Sequence, residues 1–155
     1  MKIIKISSDL SSTSSKYVTQ AKIFVDEAFG RGTLHRQICD NTIHQWLIID
    51  FDDDGNDTVV GYCSAEIKQE GLLGILKTSV VHPDFRKSGI GDLMVKHRIK
   101  WLQEQEVQTI KSYAWFVDGV VPAQKMLMNN NFKPWDDIRG WWSKDHNWDY
   151  PCSVC

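Results

Sequence analysis

The residues best suited to chemistry run from Val81 to Gly91 and read Val-His-Pro-Asp-Phe-Arg-Lys-Ser-Gly-Ile-Gly. Before them lies an apolar run (Leu72, Leu73, Ile75, Leu76, Val80, Val81) with the β-branched ending of a strand. Pro83 cannot donate to a sheet ladder, so the strand is expected to stop there. Past Gly91, the residues Leu93, Met94, Val95, Ile99, Trp101 and Leu102 fall on one broad helical face. The stretch therefore predicts a strand, a basic glycine-bearing loop and the start of a helix. That order suits an anion, because the first N–H groups of a helix lack internal partners and the helix dipole adds partial positive charge. Gly89 and Gly91 carry no Cβ, so a diphosphate can approach the backbone closely. The loop has neither the nucleoside-triphosphate spacing nor the three-glycine dinucleotide fingerprint. The plain alternative is a pair of glycines that only shape a strand-to-helix corner.

The pattern Val81-x-Pro83-x-x-Arg86-x-x-Gly89-x-Gly91 resembles the acyl-CoA-binding signature of the GNAT superfamily, the general N-acetyltransferases. Downstream, Ala123-x-x-Met126-Leu127-x-x-x-Asn131-Phe132 resembles that family's second helix, which usually ends Ala-x-x-Leu-Tyr-x-x-x-Gly-Phe. Together the motifs span Leu72 to Phe132 and leave room for one helix and one strand between them. The N-terminal third is similar only in its pattern of elements. The resemblance implies a mixed α/β fold, with a central, largely antiparallel sheet splayed around the cofactor and helices on both faces. It implies acetyl-CoA as co-substrate, bound by Val81, Arg86, Lys87, Ser88, Gly89, Ile90, Gly91 and Asp92, with backbone amides around the pyrophosphate. The expected function is transfer of an acetyl group to an amine: a small molecule, a peptide N-terminus or a lysine. The alternative is a non-catalytic acyl-CoA-binding or protein-interaction module.

Acetyl transfer needs a donor for the developing oxyanion, a route for the amine proton, and a proton for the departing thiolate. By resemblance, the first is a backbone amide at or beside Val81. The family's usual base positions on the strand before the loop hold Ile75 and Lys77 here, with Ser79 next, and its tyrosine acid aligns with Leu127. Glu66, Ser79 as a water-holding hydroxyl, and Tyr113 are the substitute catalytic candidates. An ordinary surface place on an alternating strand is the other reading of Glu66. By the same analogy Asp26, Glu27, His35 and Arg36 are acceptor contacts, or else solvated helix surface.

The elements that must position these groups follow from the rest of the chain. Lys2 to Ile6 reads as a strand, and Ser7 to Ser15 as a loop in which Ser14 or Ser15 caps a helix carrying Val18, Ala21, Val25 and Ala28. A short helix over Leu34 to Cys39 and strands over Trp46–Phe51 and Thr58–Lys68 come next. The acidic turn between those strands half-matches a calcium loop (Asp50-x-Asp52-x-Asp54-Gly55), but the twelfth position is Gly61 where a glutamate is needed. An acidic hairpin turn is the expectation. Lys96, Arg98 and Lys100 are expected on a solvated helix face, Thr109 to Phe116 as a strand, and Pro122 as a first helical residue.

The 155 residues favour one domain, with residues 133–155 a Trp- and Cys-rich extension holding four of the seven tryptophans. Eighteen basic against twenty acidic residues argue against nucleic acid as main partner. No apolar run is long enough to span a bilayer, and the N-terminus is too short and charged for a signal peptide. Four cysteines without such a signal point to a reducing cytoplasm. Cys152 and Cys155 have zinc-knuckle spacing, and a tetrahedral site would need two more ligands, such as His146 with Cys39 or Cys63, or a second chain. Two free thiols are the alternative. A homodimer is compatible with all of this.

Overall fold

The computed structural model describes residues 1–6, 12–86, 88–113, 122–136 and 141–145. In chain order these form β1 (Lys2–Ile6), α1 (Ser12–Phe29), α2 (Thr33–Cys39), β2 (Ile43–Phe51), β3 (Asp57–Lys68) and β4 (Leu73–Val81). A 3-10 turn (Pro83–Phe85), α3 (Ile90–Glu104), β5 (Thr109–Tyr113), α4 (Pro122–Asn129), β6 (Lys133–Asp136) and β7 (Trp141–Asp145) follow. The class is mixed α/β, as expected. The chain divides into two compact units, one of Met1–Ala65 with Thr78–Met94, the other of Glu66–Lys77 with Val95–Cys155.

In the first unit the strands lie in the order β1-β2-β3-β4. β1 runs antiparallel to β2, with Lys2 opposite Ile49 and Ile6 opposite Gln45. The turn from β2 to β3 is built on Asp52, whose carboxylate accepts from the N–H of Asp54 (3.0 Å), the N–H of Asn56 (2.8 Å) and Asn56 Nδ2 (3.1 Å). Gly55 turns the chain at φ +80°. The carboxylate that a cation would need is thus engaged by its own hairpin. No cluster of three or more His, Cys, Asp or Glu that could hold a metal occurs among the described residues.

Helix α1 begins at Ser12, so Ser14 and Ser15 lie inside its first turns rather than at its cap. Its inner face is Ala21, Phe24 and Val25, which pack with Leu34, Ile6, Leu47, Ile49, Val59, Tyr62 and Val80. Ala28 is exposed, and Phe24 occupies the face in its place. On β3, Gly61 lets α3 come close: a Cβ there would stand 3.0 Å from Met94 Sδ and 3.1 Å from both Ile48 Cγ1 and Ile90 Cγ2.

In the second unit the order is β4-β5-β7-β6. β5 is parallel to β4 and antiparallel to β7, and β7 is antiparallel to β6. The expected strand over Thr109–Phe116 is described as far as Tyr113. Gly74 meets Leu102 of α3, whose Cδ2 would lie 2.8 Å from an added Cβ. Leu102, Val107, Ile110, Leu127 and Phe132 are buried here. Helix α4 starts at Pro122, and its exit is made by Asn131 at φ +68° with the Phe132 N–H on Leu127 O at 2.9 Å.

The basic helix face is corrected as well. Arg98 is buried (2 % exposed), while Lys96 and Lys100 are exposed. At 100° per residue, positions 96 and 100 share a helix face and position 98 lies about 200° away, so a single basic face was geometrically excluded. Lys96 donates to Asn130 Oδ1 at 3.3 Å. No helix of the described chain is long and apolar enough to cross a membrane.

The close approach at Gly61 can be tested directly. Gly61→Ala should lower the urea-unfolding free energy by about 1–3 kcal/mol and Gly61→Val by more, because three side chains must yield. A neutral Gly61→Val would contradict this packing.

Candidate active site

Strand β4 outruns its pairing with β5. The parallel register covers Leu73–Leu76, whereas the strand continues to Val81. On the other edge, the His82 N–H donates to Val60 O at 2.8 Å, and the Thr78 N–H donates to Ser64 Oγ at 3.0 Å. Backbone N–H groups alternate in direction along a strand. Those of Thr78, Val80 and His82 therefore turn towards β3, and those of Ser79 and Val81 turn towards the opposite edge. The His82 amide is engaged by β3, whereas the Ser79 and Val81 N–H groups point away from that strand.

The chain then makes its 3-10 turn and enters α3. The Ser88 hydroxyl donates to Phe85 O. Gly89 sits at φ +85°, and a Cβ there would meet nothing within 4 Å, so its backbone faces open space. Its carbonyl accepts from the Leu93 N–H at 3.1 Å, so the helical ladder begins there. The N–H groups of Gly89, Ile90 and Gly91 precede that first bond and share the positive end of the helix dipole. Ile90 is buried at 1 % and anchors the helix start, while Gly91 and Asp92 are half-buried and Arg86 and Ser88 are exposed. An open glycine beside a helix start is what a diphosphate requires, so the residues present fit one. Lys87 lies outside the described residues.

Beneath α2 the first unit holds a polar network that the sequence reading missed. The Tyr62 hydroxyl lies 2.6 Å from Gln37 Oε1 and 2.7 Å from Gln45 Oε1. Gln45 Nε2 donates to Gln37 O at 3.1 Å, and the Gln37 amide lies 2.6 Å from Thr78 Oγ1. One phenol proton cannot serve two carbonyl oxygens fully. Reversing the Gln37 amide resolves this: Thr78 donates to its oxygen, its nitrogen donates to Tyr62, and Tyr62 donates to Gln45. Tyr62 is fully buried and Gln45 is 3 % exposed, so this network ties α2 to β2, β3 and the end of β4 in low dielectric. A glutamine directly before the apolar run Trp46–Ile49 was the available signal.

The catalytic candidates divide between the units. Ser79 is an exposed residue of β4 in the first. In the second, the Glu66 carboxylate is held by Lys77 Nζ at 3.2 Å and Lys68 Nζ at 3.5 Å. Tyr113 ends β5 opposite Trp141. Leu127, where the family's tyrosine acid aligns, is buried at 4 %. Of the acceptor candidates, Glu27, His35 and Arg36 are exposed. Arg36 donates to Arg31 O (3.3 Å) and Thr33 Oγ1 (3.2 Å), and His35 Nε2 lies 3.6 Å from Cys39 Sγ. Asp26 is engaged structurally, accepting from the N–H groups of Gly32 and Leu34 at 3.1 Å each and so capping α2. Cys152 and Cys155 lie outside the described residues, and of the other proposed zinc ligands Cys63 is buried and Cys39 exposed.

Burial alone would raise the Asp26 pKa, but the Leu34 and Gly32 amides, with the Lys22 and Arg36 charges, outweigh it and hold the carboxyl below its ordinary value. A depressed carboxylate stabilises the fold above the unfolded-state pKa, near 3.9, and that contribution disappears as pH falls through the folded value. The stability gap between wild type and Asp26→Ala should therefore be constant above about pH 5 and shrink below about pH 4. Urea titrations from neutral to acid pH measure it, and a pH-independent gap would show that the cap does not act through its charge.

The comparisons with known proteins agree with this geometry. A family model described as Acetyltransferase (GNAT) family matches residues 15–132. Among solved structures, an aminoglycoside 6'-N-acetyltransferase from Enterococcus faecium superposes with a TM-score of 0.71 at 13% identity, covering 94% of this chain and 97% of that one. The ribosomal-protein-S18-alanine N-acetyltransferase from Escherichia coli gives 0.65 at 14% identity over 93% and 94%. An aminoglycoside 6'-N-acetyltransferase complexed with coenzyme A gives 0.63 at 13% identity over 94% and 97%. No curated protein sequence matches. With most of its length matched by the family model, and a strand end, glycine turn and helix start in the expected order, the chain belongs to the GNAT family of acyl-CoA-dependent N-acetyltransferases.

Proposed function

We propose that this protein moves an acetyl group from acetyl-CoA to a primary amine of a small molecule, a peptide N-terminus or a lysine. The observation that carries this reading is the meeting, within one unit, of the α3 start at Gly89–Gly91 with a β4 end whose Val81 N–H turns away from β3. Acetyl-CoA supplies a thioester: the amine nitrogen bonds to the acetyl carbon, the C–S bond breaks, and the amine proton leaves to sulfur or solvent. The amides of Gly89, Ile90 and Gly91 hold the diphosphate, with Arg86 and Lys87 adding positive charge and Ser88 and Asp92 flanking the turn. The Val81 N–H polarises the acetyl carbonyl. Ser79, exposed and two residues earlier on the same strand, orders a water on the proton's way out.

Glu66 has a different part. Its oxygens are engaged by two ammonium groups, which makes it a holder of Lys77 rather than a general base. The acceptor then reacts as an already neutral amine, brought close to the thioester. The related structures are named as N-acetyltransferases of an aminoglycoside and of a ribosomal-protein-S18 alanine, which supports an amine acceptor here.

Acetyl-CoA at about a hundred times its dissociation constant should stabilise the fold by roughly 2.7 kcal/mol. Gly89→Val should abolish that shift, with a lower baseline from a β-branched residue at positive φ. An unchanged wild-type melting curve would end this reading. Thiol release should rise with pH as the acceptor deprotonates, and Glu66→Gln should cost less than the roughly 10²-fold typical of a positioned base. Loss of turnover in Glu66→Gln with both substrates still bound would instead identify a carboxylate base. Tight CoA binding without thiol release across amine classes would favour the non-catalytic module.

A further inference from the structure

His82 stands at the junction where β4 ends and the glycine turn begins, and it is held at every polar backbone atom. Its N–H donates to Val60 O of β3 at 2.8 Å, and its carbonyl accepts from the Phe85 N–H at 2.9 Å. Its ring nitrogen Nδ1 accepts from the Asp84 N–H at 3.1 Å. The ring is locked edge-on between Phe24 of α1 (centroids 5.5 Å, 68°) and Phe85 (5.4 Å, 81°). Pro83 has no N–H, so Asp84 and Phe85 carry the first two donors of the 3-10 turn, and His82 receives both. Serine, threonine, aspartate and asparagine usually cap such turns. Here a residue that also packs into the α1 face does so, which couples the turn's shape to the core. Accepting at Nδ1 puts the ring proton on Nε2.

We propose that His82 is a positioning residue for the acyl donor: its Nδ1 cap and its aromatic seat fix the Pro83–Phe85 turn at the end of β4, so that the Gly89–Gly91 amides meet the diphosphate already aimed. This rests on the acetyl-CoA reading above. His82 touches no reacting atom, and its effect runs through the turn. The consequence is selective, because a ligand without the diphosphate does not use those amides.

Three substitutions separate the cap from the packing. His82→Phe keeps a ring between Phe24 and Phe85 but has no acceptor. His82→Ala removes both. His82→Asn offers an oxygen to the N–H two residues on, as asparagine does in turns. Amide hydrogen exchange without ligand, and calorimetric titration with CoA and with pantetheine, which lacks the diphosphate, read the outcome. The Asp84 amide should be protected in wild type and His82→Asn and exchange freely in His82→Phe. CoA affinity should fall roughly five- to tenfold in His82→Phe, about the worth of one hydrogen bond, further in His82→Ala, and recover in His82→Asn. Pantetheine affinity should not change. His82→Phe binding CoA like wild type, or CoA and pantetheine weakening together, would overturn the proposal. Wild type that binds no CoA would overturn the acetyl-CoA reading instead, and Asp84 exchange would still decide whether His82 shapes the turn.

Discussion

A Cβ at residue 61 would stand 3.0–3.1 Å from Met94, Ile48 and Ile90, and the absence of that carbon lets the first turn of α3 sit directly on β3. That one steric allowance governs the site. A helix start is useful to an anion only if its amides end in the right place, and their place is set by how closely the helix behind them can pack. Ile90 and Met94, both fully buried, turn that closeness into a fixed seat. The same strand edge holds the His82 amide through Val60 O, so the end of β4 and the start of α3 are referenced to one strand.

Polar groups in the core add a second constraint. Tyr62, Gln45, Gln37 and Thr78 close a hydrogen-bonded network beneath α2, and Asp26 caps that helix from α1. These groups of the network bond one another across four elements. The network therefore specifies how α2 lies on the strands more sharply than apolar packing could. Helix α2 is seven residues long, too short to be stable alone, and needs such ties.

The ion pairs around Glu66 and the buried Leu127 distinguish this chain from the common chemistry of its family. On the proposed reading, the backbone amide of Val81 and the acceptor's own protonation then carry the chemistry. In the proposed reaction, which relies on placement and a polarising amide, little depends on which side chains line the site. Many acceptor classes on one fold are the natural outcome.

Much of this was legible in the sequence because it depends on local chemistry. Pro83 ends a strand, Gly89 admits positive φ, Pro122 starts a helix and Asn131 ends one, and each does so through its own backbone limits. The order of strand, glycine turn and helix follows from those local rules and from apolar periodicity, and the motif it carries is what resembled the family that the family model then matched. Other features depend on contacts between residues far apart in the chain, and only the tertiary structure decided them. Gly61 read as a plain strand residue until Ile90 and Met94 came against it. Asp26 read as an acceptor contact or as solvated helix surface until the amides of Gly32 and Leu34 engaged it. His82 read as a spacer in a motif until Phe24, fifty-eight positions earlier, held its ring. Glu66 read equally as a catalytic candidate or a surface residue, and its ion pair with Lys77, across the hairpin, was not visible in the sequence. Which face of a strand meets which helix is a sum over the whole chain, and no local window contains it.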